Sequence, residues 1–267
     1  MHAITPPYTA PVDQLLSLGS PGEIWDPWAD YLALGLTDEH VPELIRMATD
    51  PALNESEGLV EVWAPLHAWR ALGQLRAEAA AQPLVDLLAT VDDDWVQDDL
   101  PQALGMIGGA AIAGLRELLA NDAADLTPRI SAMAALSAVA RDHPELRDQA
   151  VGVLTAQLAL WPDQDPDLNA SLISALAKLQ AVEAAPVMEA AFTGCAVTEY
   201  ICGDWEDAQV RLGLLAERIT PLRTHPPLFS LPPSISPTTS PTRPRASPKV
   251  KNRRKEARAA RKRNRRK

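Results

Sequence analysis

Part of this chain repeats itself. Trp63 is followed by Ala71-Leu72-Gly73, and 32 positions later Trp95 is followed by Ala103-Leu104-Gly105. A further 32 residues on, Ala135-Leu136 fall in register, and after a longer step Ala175-Leu176 do so again. A period in the 30s built from helix-forming residues is the signature of stacked helical hairpins, because each unit has an apolar face that only its neighbour can cover. Leu72, Leu104, Leu136 and Leu176 are therefore expected on one interior rung.

Apolar residues at three- and four-residue spacing extend the pattern over most of the chain. In the first hairpin Trp28, Tyr31, Leu32 and Leu34 form one apolar helical face. Gly35 stops that helix, where the backbone must turn left-handed. Thr37 or Asp38 then caps a second helix with Pro42 in its first turn and Leu44, Ile45, Met47 and Ala48 inward. An acidic connector covers 51–61. Four more hairpins follow: 63–75 with 79–91, 95–106 with 110–119, 127–140 with 145–160, and 168–179 with 183–192. A closing helix is expected over 205–219.

Alternating β-branched runs joined by Asn-Gly turns are missing, and 2 Phe with 3 Tyr are too few for a β sandwich. The expectation is an all-α chain: a right-handed α-α superhelix of about five helical hairpins over 22–220. A short arm, 1–21, with one small apolar turn from Val12 to Leu18, precedes it. A disordered Pro-rich linker, 221–248, and a disordered basic tail, 249–267, follow it.

The repeat pattern resembles HEAT repeats, specifically the short HEAT-like type of phycobilisome-lyase-like proteins. Pro101, inside the first helix of its hairpin, is similar to the kinking proline of HEAT units. The blocks Ala33-Leu34-Gly35, Pro42-Glu43-Leu44-Ile45 and Trp63-Ala64-Pro65-Leu66-His67-Ala68-Trp69 resemble uncharacterised bacterial HEAT-repeat proteins. The resemblance covers roughly 23–219. It implies a HEAT/ARM-like solenoid used as a binding scaffold and names no reaction.

The formal charge of −10 conceals an asymmetry. From His225 onward 14 Lys and Arg face one acidic residue, Glu256, giving +13, while the remainder carries 11 basic and 34 acidic residues, giving −23. An acidic body tethered to a basic arm points to a polyanionic partner. The tail residues Lys249, Lys251, Arg253, Arg254, Lys255 and Arg258 are candidate phosphate contacts. Arg261, Lys262, Arg263, Arg265, Arg266 and Lys267 complete the set. At this density they displace counterions from nucleic acid or a ribosomal surface without reading sequence. The tail has no aromatic to stack on bases and no apolar face to enter a membrane. The other reading of this arm is that it folds back on the acidic body.

The remaining candidates are weaker. Trp63 and Trp95, each next to or near acids, can form an aromatic–acidic ladder for a basic peptide, with Asp93, Asp94 and Asp98 supplying charge. The competing reading is that both rings anchor a hairpin against its predecessor. Asp92 to Asp94 also sit where they would cap the helix starting near Trp95. The five histidines are scattered and no His-Glu dipeptide occurs. The iron-binding branch of HEAT-like proteins, the deoxyhypusine hydroxylase type, is therefore not matched. His67 is read as a packing or capping residue. Cys195 and Cys202 fit neither metal spacing nor a disulfide framework. No catalytic constellation, metal site or cofactor site stands out.

The start has no basic and apolar leader pattern, and no apolar run reaches the roughly 18–20 residues that span a bilayer. A soluble, cytoplasmic protein is expected. The functional expectation is a non-enzymatic scaffold or adaptor that binds a protein through its acidic solenoid and holds nucleic acid or ribonucleoprotein with its tail. The alternative is a lyase- or chaperone-like assistant that presents a cofactor or subunit in the solenoid groove.

Overall fold

The computed structural model describes residues 8–22, 26–54 and 60–221. The basic tail, with all twelve of its candidate contacts, lies outside the described residues, as does all but Pro221 of the expected linker. Among the described residues the chain is all-helical, with no strand.

Twelve α-helical segments follow one another: α1 Val41–Ala48, α2 Pro51–Asn54, α3 Ala64–Gln74, α4 Ala81–Thr90, α5 Asp94–Ile107, α6 Gly109–Ala120, α7 Leu126–Asp142, α8 Arg147–Leu158, α9 Pro166–Lys178, α10 Ala185–Thr193, α11 Glu199–Cys202 and α12 Trp205–Leu212. Their starts have local causes. The Asp93 carboxylate accepts from the backbone N–H of Trp95 at 3.1 Å and so caps α5, as expected of the Asp92–Asp94 run. Asp165 caps α9 in the same way, with Pro166 in the first turn. α5 continues as one helix through Pro101.

Two connectors are the same. After α3, Arg76 turns left-handed (φ 52°) and Ala77 N–H reaches back to Leu72 O at 3.0 Å. After α9, Gln180 turns left-handed (φ 51°) and Ala181 N–H reaches Leu176 O at 3.0 Å. Each then enters a 3-10 turn, Glu78–Ala80 or Val182–Ala184, with Ala80 or Ala184 fully buried. These are Schellman closures without glycine.

The helices pack in two rows. α3, α5, α7 and α9 each lie against the next, and α4, α6, α8 and α10 form a second row behind them. Leu72, Leu104, Leu136 and Leu176 are all fully buried, so the interior rung exists. At about 1.5–3 kcal/mol for each large apolar side chain removed from water, such rungs dominate the stability.

The repeated glycines set the spacing of the inner row. A Cβ on Gly73 would lie 3.0 Å from the Cα of Ala103. One on Gly105 would overlap the Ala138 Cβ and lie 3.1 Å from that residue's carbonyl carbon. The backbones of α3 and α5, and of α5 and α7, thus meet where no side chain stands between them.

Three expectations change. Residues 28–34 do not form a helix, and only the 3-10 turn Leu32–Leu34 appears, closed by Gly35 (φ 87°). Gln74 takes the backbone groups that a helix would use, donating to Ala29 O (2.8 Å) and accepting from Tyr31 N–H (2.9 Å). The expected arm is instead part of the body over its described residues: Val12 and Leu15, in the 3-10 turn Val12–Ser17, are fully buried. The closing helix stops at Leu212, because Gly213 turns left-handed (φ 75°). Arg218 then folds back with both terminal nitrogens 2.7 Å from the Asp204 carboxylate, which it holds down at a pKa of about 2.

The glycine crossings give a paired prediction. Gly105→Ala gains about 1 kcal/mol of helix propensity but forces two backbones apart at a cost of about 1–3 kcal/mol, so urea denaturation should show net destabilisation. Gly152→Ala in α8 meets nothing within 4 Å and should stabilise by about 0.5–1 kcal/mol. Equal effects at the two sites would contradict the close-approach argument.

Candidate functional site

The aromatic–acidic ladder lies inside the protein. Trp63 is 7% and Trp95 4% exposed, and their rings meet edge to face at 5.5 Å between centroids. Asp93 is buried as the cap of α5, and of the five candidates only Asp94 and Asp98 are exposed. Tyr31, 32 residues before Trp63, is buried at the same register. These rings are joints between neighbouring units and offer no open face to a partner. A cavity of about 20 Å³ between Trp63, Trp69 and Trp95 is no larger than a water molecule requires.

Beside these rings stands a buried ion pair that the sequence reading missed. Arg70 is 1% exposed. Its Nη2 lies 2.7 Å and its Nε 3.2 Å from Asp99 Oδ1, and Trp69 Nε1 donates to Asp99 Oδ2 at 2.7 Å. The guanidinium also lies 4.9 Å from the centroid of Trp28. His67, one turn away, joins Tyr31 OH (Nδ1, 2.7 Å) to Gly19 O (Nε2, 2.8 Å). Because Gly19 O can only accept, Nε2 carries the proton and Nδ1 accepts from the tyrosine hydroxyl. Burial, aided by the nearby Arg70 charge, lowers the His67 pKa; burial also raises that of Tyr31, so both stay neutral.

These polar residues follow the repeat. His67, Asp99, Ser131 and Ser171 share one register through steps of 32, 32 and 40, and all are buried. A second register holds Gln97, Arg129 and Asn169, also buried. Each of the three donates to main-chain carbonyls just before its own helix. Gln97 reaches Leu88 O and Val91 O (3.0 and 2.9 Å), Arg129 reaches Leu119 O (2.8 Å), and Asn169 reaches Trp161 O (3.1 Å). These carbonyls lie at or beyond the C-terminal ends of the second-row helices, where acceptors lack intrahelical partners. The repeat therefore carries its own hydrogen-bonding plan. Stepping polar positions by the same interval as the leucines would have found it.

A groove lies between α7 and α9 of the first row. Ser137 stands where Gly73 and Gly105 stand in the preceding units, and α7 touches α9 more loosely than it touches α5. The gap is a groove of about 440 Å³. Met133, Ala134, Ala175 and Leu179 make its apolar walls, and Ile201 of α11 closes one end. Ser137, Ser171 and Ser174 supply hydroxyls; the first two already donate to carbonyls of their own helices, Met133 O and Asp167 O. Arg141 and Lys178 stand at the rim, Arg141 paired with Asp142 at 2.7 Å. Arg141 also borders a neighbouring depression of about 510 Å³, which Arg76, Gln102 and Met106 line.

The groove has a covered counterpart. Gln102, Ala134 and Ser174 share the register of Arg70, and Met106, Ala138 and Lys178 share that of Gln74. On α3 this face is not open: Trp28 lies over Arg70, and Gln74 holds Ala29 and Tyr31. A non-helical stretch of the chain's own N-terminal part thus covers on α3 the face that α7 and α9 leave bare.

Other titratable groups are accounted for locally. His40 bonds within its own cap to Thr37, and His143 Nε2 lies 3.1 Å from Met106 O. Burial pushes the Cys202 thiol up to about 11, away from the reactive thiolate, while Cys195 is exposed. Among the described residues no cluster of three or more His, Cys, Asp or Glu is placed to hold a metal ion, and no helix is long and apolar enough to cross a membrane. Comparison with protein-family models, with curated proteins and with solved structures finds no match for the chain.

Two predictions follow from the buried network. Asp99→Leu strands a buried guanidinium and should cost about 3–5 kcal/mol in chemical denaturation, and Arg70→Met with Asp99→Leu should recover part of that loss. The His67 pKa is lower in the folded protein than its ordinary 6.5, so its contribution is complete above that value. Stability should therefore fall as pH drops from about 6.5 toward the folded-state pKa, and His67→Gln should flatten this limb of the thermal-melting profile.

Proposed function

We propose that the protein is a non-enzymatic helical-repeat scaffold. In this reading its two helical rows form a right-handed α-α superhelix of HEAT type with about five hairpins. The body engages a protein partner, and the basic arm holds nucleic acid or a ribonucleoprotein surface. The observation that carries the reading is the groove between α7 and α9. It sits on the first row, on the face that α7 and α9 leave bare, and its methyl groups, hydroxyls and cations suit burial of a partner's side chains. The −23/+13 division of charge supports the second half.

A second reading has one observation in its favour. At about 440 Å³ the groove falls in the size range of small-molecule sites, which suits a lyase- or chaperone-like assistant presenting a cofactor. A chromophore or prosthetic group co-purifying with the protein, and lost on blocking the groove with Ser174→Trp, would favour it over the scaffold.

The polyanion half is tested by deleting 249–267. The full chain should bind RNA or DNA with an affinity that drops steeply with salt. For 6–10 phosphate contacts the loss is about 10³–10⁵ between 50 and 200 mM. The deletion should abolish this binding. Unchanged retention of the shortened chain on a nucleic-acid column would overturn the assignment.

A further inference from the structure

We propose that the groove between α7 and α9 is occupied in cis by the chain's own segment 226–233, Pro-Pro-Leu-Phe-Ser-Leu-Pro-Pro, with Phe229 as the anchor. The inference rests on the groove and on where the described chain ends, and it goes beyond the scaffold reading.

The first argument is position. Ile201, which closes the groove, is three residues from Asp204, a separation of at most about 11 Å. Asp204 is the residue on which Arg218 is clamped, at 2.7 Å. Glu206 then accepts from the N–H of Thr220 (3.0 Å) and from its hydroxyl (2.9 Å). The chain is therefore pinned beside the closed end of the groove just before it leaves the described residues. Seven further residues lead from Pro221 to Leu228 and cover about 22 Å if extended like polyproline. That reach is enough to lay Phe229 between α7 and α9.

The second argument is composition. Phe229 is the sole aromatic residue after Pro221, and it stands with Leu228 and Leu231 between two Pro-Pro pairs. No Lys, Arg, Asp or Glu occurs from His225 to Thr242, so the segment is uncharged until the basic region begins. Flanking prolines keep such a motif extended and lessen the entropy lost on docking. Met133, Ala134, Ala175 and Leu179 offer it an apolar bed. Exposed apolar side chains also gather at the exit: Tyr200 is 81% and Ile219 77% exposed, alongside Ile201 and Leu214.

The third argument is precedent within the molecule. On α3 the equivalent face is covered by a non-helical segment through Trp28, Ala29 and Tyr31. Docking of 226–233 would cover the bare face of α7 and α9 as residues 28–31 cover the equivalent face of α3. A tether this short gives an effective concentration on the order of millimolar, so a modest intrinsic affinity keeps the groove filled until a partner displaces the segment.

Methyl-¹³C-methionine NMR on the full chain tests this directly. Met133 lies in the groove, whereas Met47 and Met188 are fully buried elsewhere and serve as controls. The variant Phe229→Ser/Leu231→Ser should shift the Met133 resonance and leave the two controls in place. Adding a synthetic peptide of residues 222–235 to that variant should return Met133 toward its original position. An unchanged Met133 signal in the variant, with no response to the peptide, overturns the proposal. A Met133 shift that grows with protein concentration also overturns it, in favour of docking between copies.

Discussion

Two helix backbones come together only where no side chain keeps them apart. In this protein that condition is met at Gly73 against Ala103 and at Gly105 against Ala138. Small residues at the crossing let α3, α5 and α7 stack tightly, which places the leucine rung out of water and the Trp63 and Trp95 rings edge to face. Close approach also explains why Arg70 and Asp99 meet directly across α3 and α5. Ser137 stands at the same register on α7, and a groove lies there between α7 and α9, with a second depression along Arg76, Gln102 and Arg141.

The buried polar residues contribute to uniqueness as well as to stability. A purely apolar repeat could slide by one unit at little cost. Gln97, Arg129 and Asn169 fix each hairpin by satisfying carbonyls just before their own helices, and Asp99 joins α3 to α5 by satisfying both Arg70 and Trp69. A slip of α3 against α5 would leave the buried Arg70 and Asp99 charges without partners, at about 3–5 kcal/mol. Their clustering in the interior is thus a consequence of the repeat and needs no catalytic explanation.

Much of the helical order was legible because it is written in local chemistry. The Gly35 stop, Pro42 and the Asp93 cap act within a few residues of where they stand, and the 32-residue step repeats one local pattern from unit to unit. What was not legible depended on distant parts of the chain. Gln74 unravels the expected helix at 28–34 from 45 residues away, and Val12 and Leu15 look like a loose arm until the surface that buries them is known. Arg70 drew no reading from the sequence, yet α3 is buried on nearly every side and a charge there must be paired. The groove was not legible either, because it depends on how far apart α7 and α9 stand, which no local pattern gives.

The central claim is that glycine crossings set the spacing of the inner row and that Ser137 opens it. A crystal structure that gives the interaxial distances measures this most directly. The account predicts that α5 and α7 cross at or below the short end of the usual range of about 8–10 Å, and that α7 and α9 stand measurably farther apart. Equal separations at the Gly105 and Ser137 crossings, or a closer approach at Ser137, would contradict it.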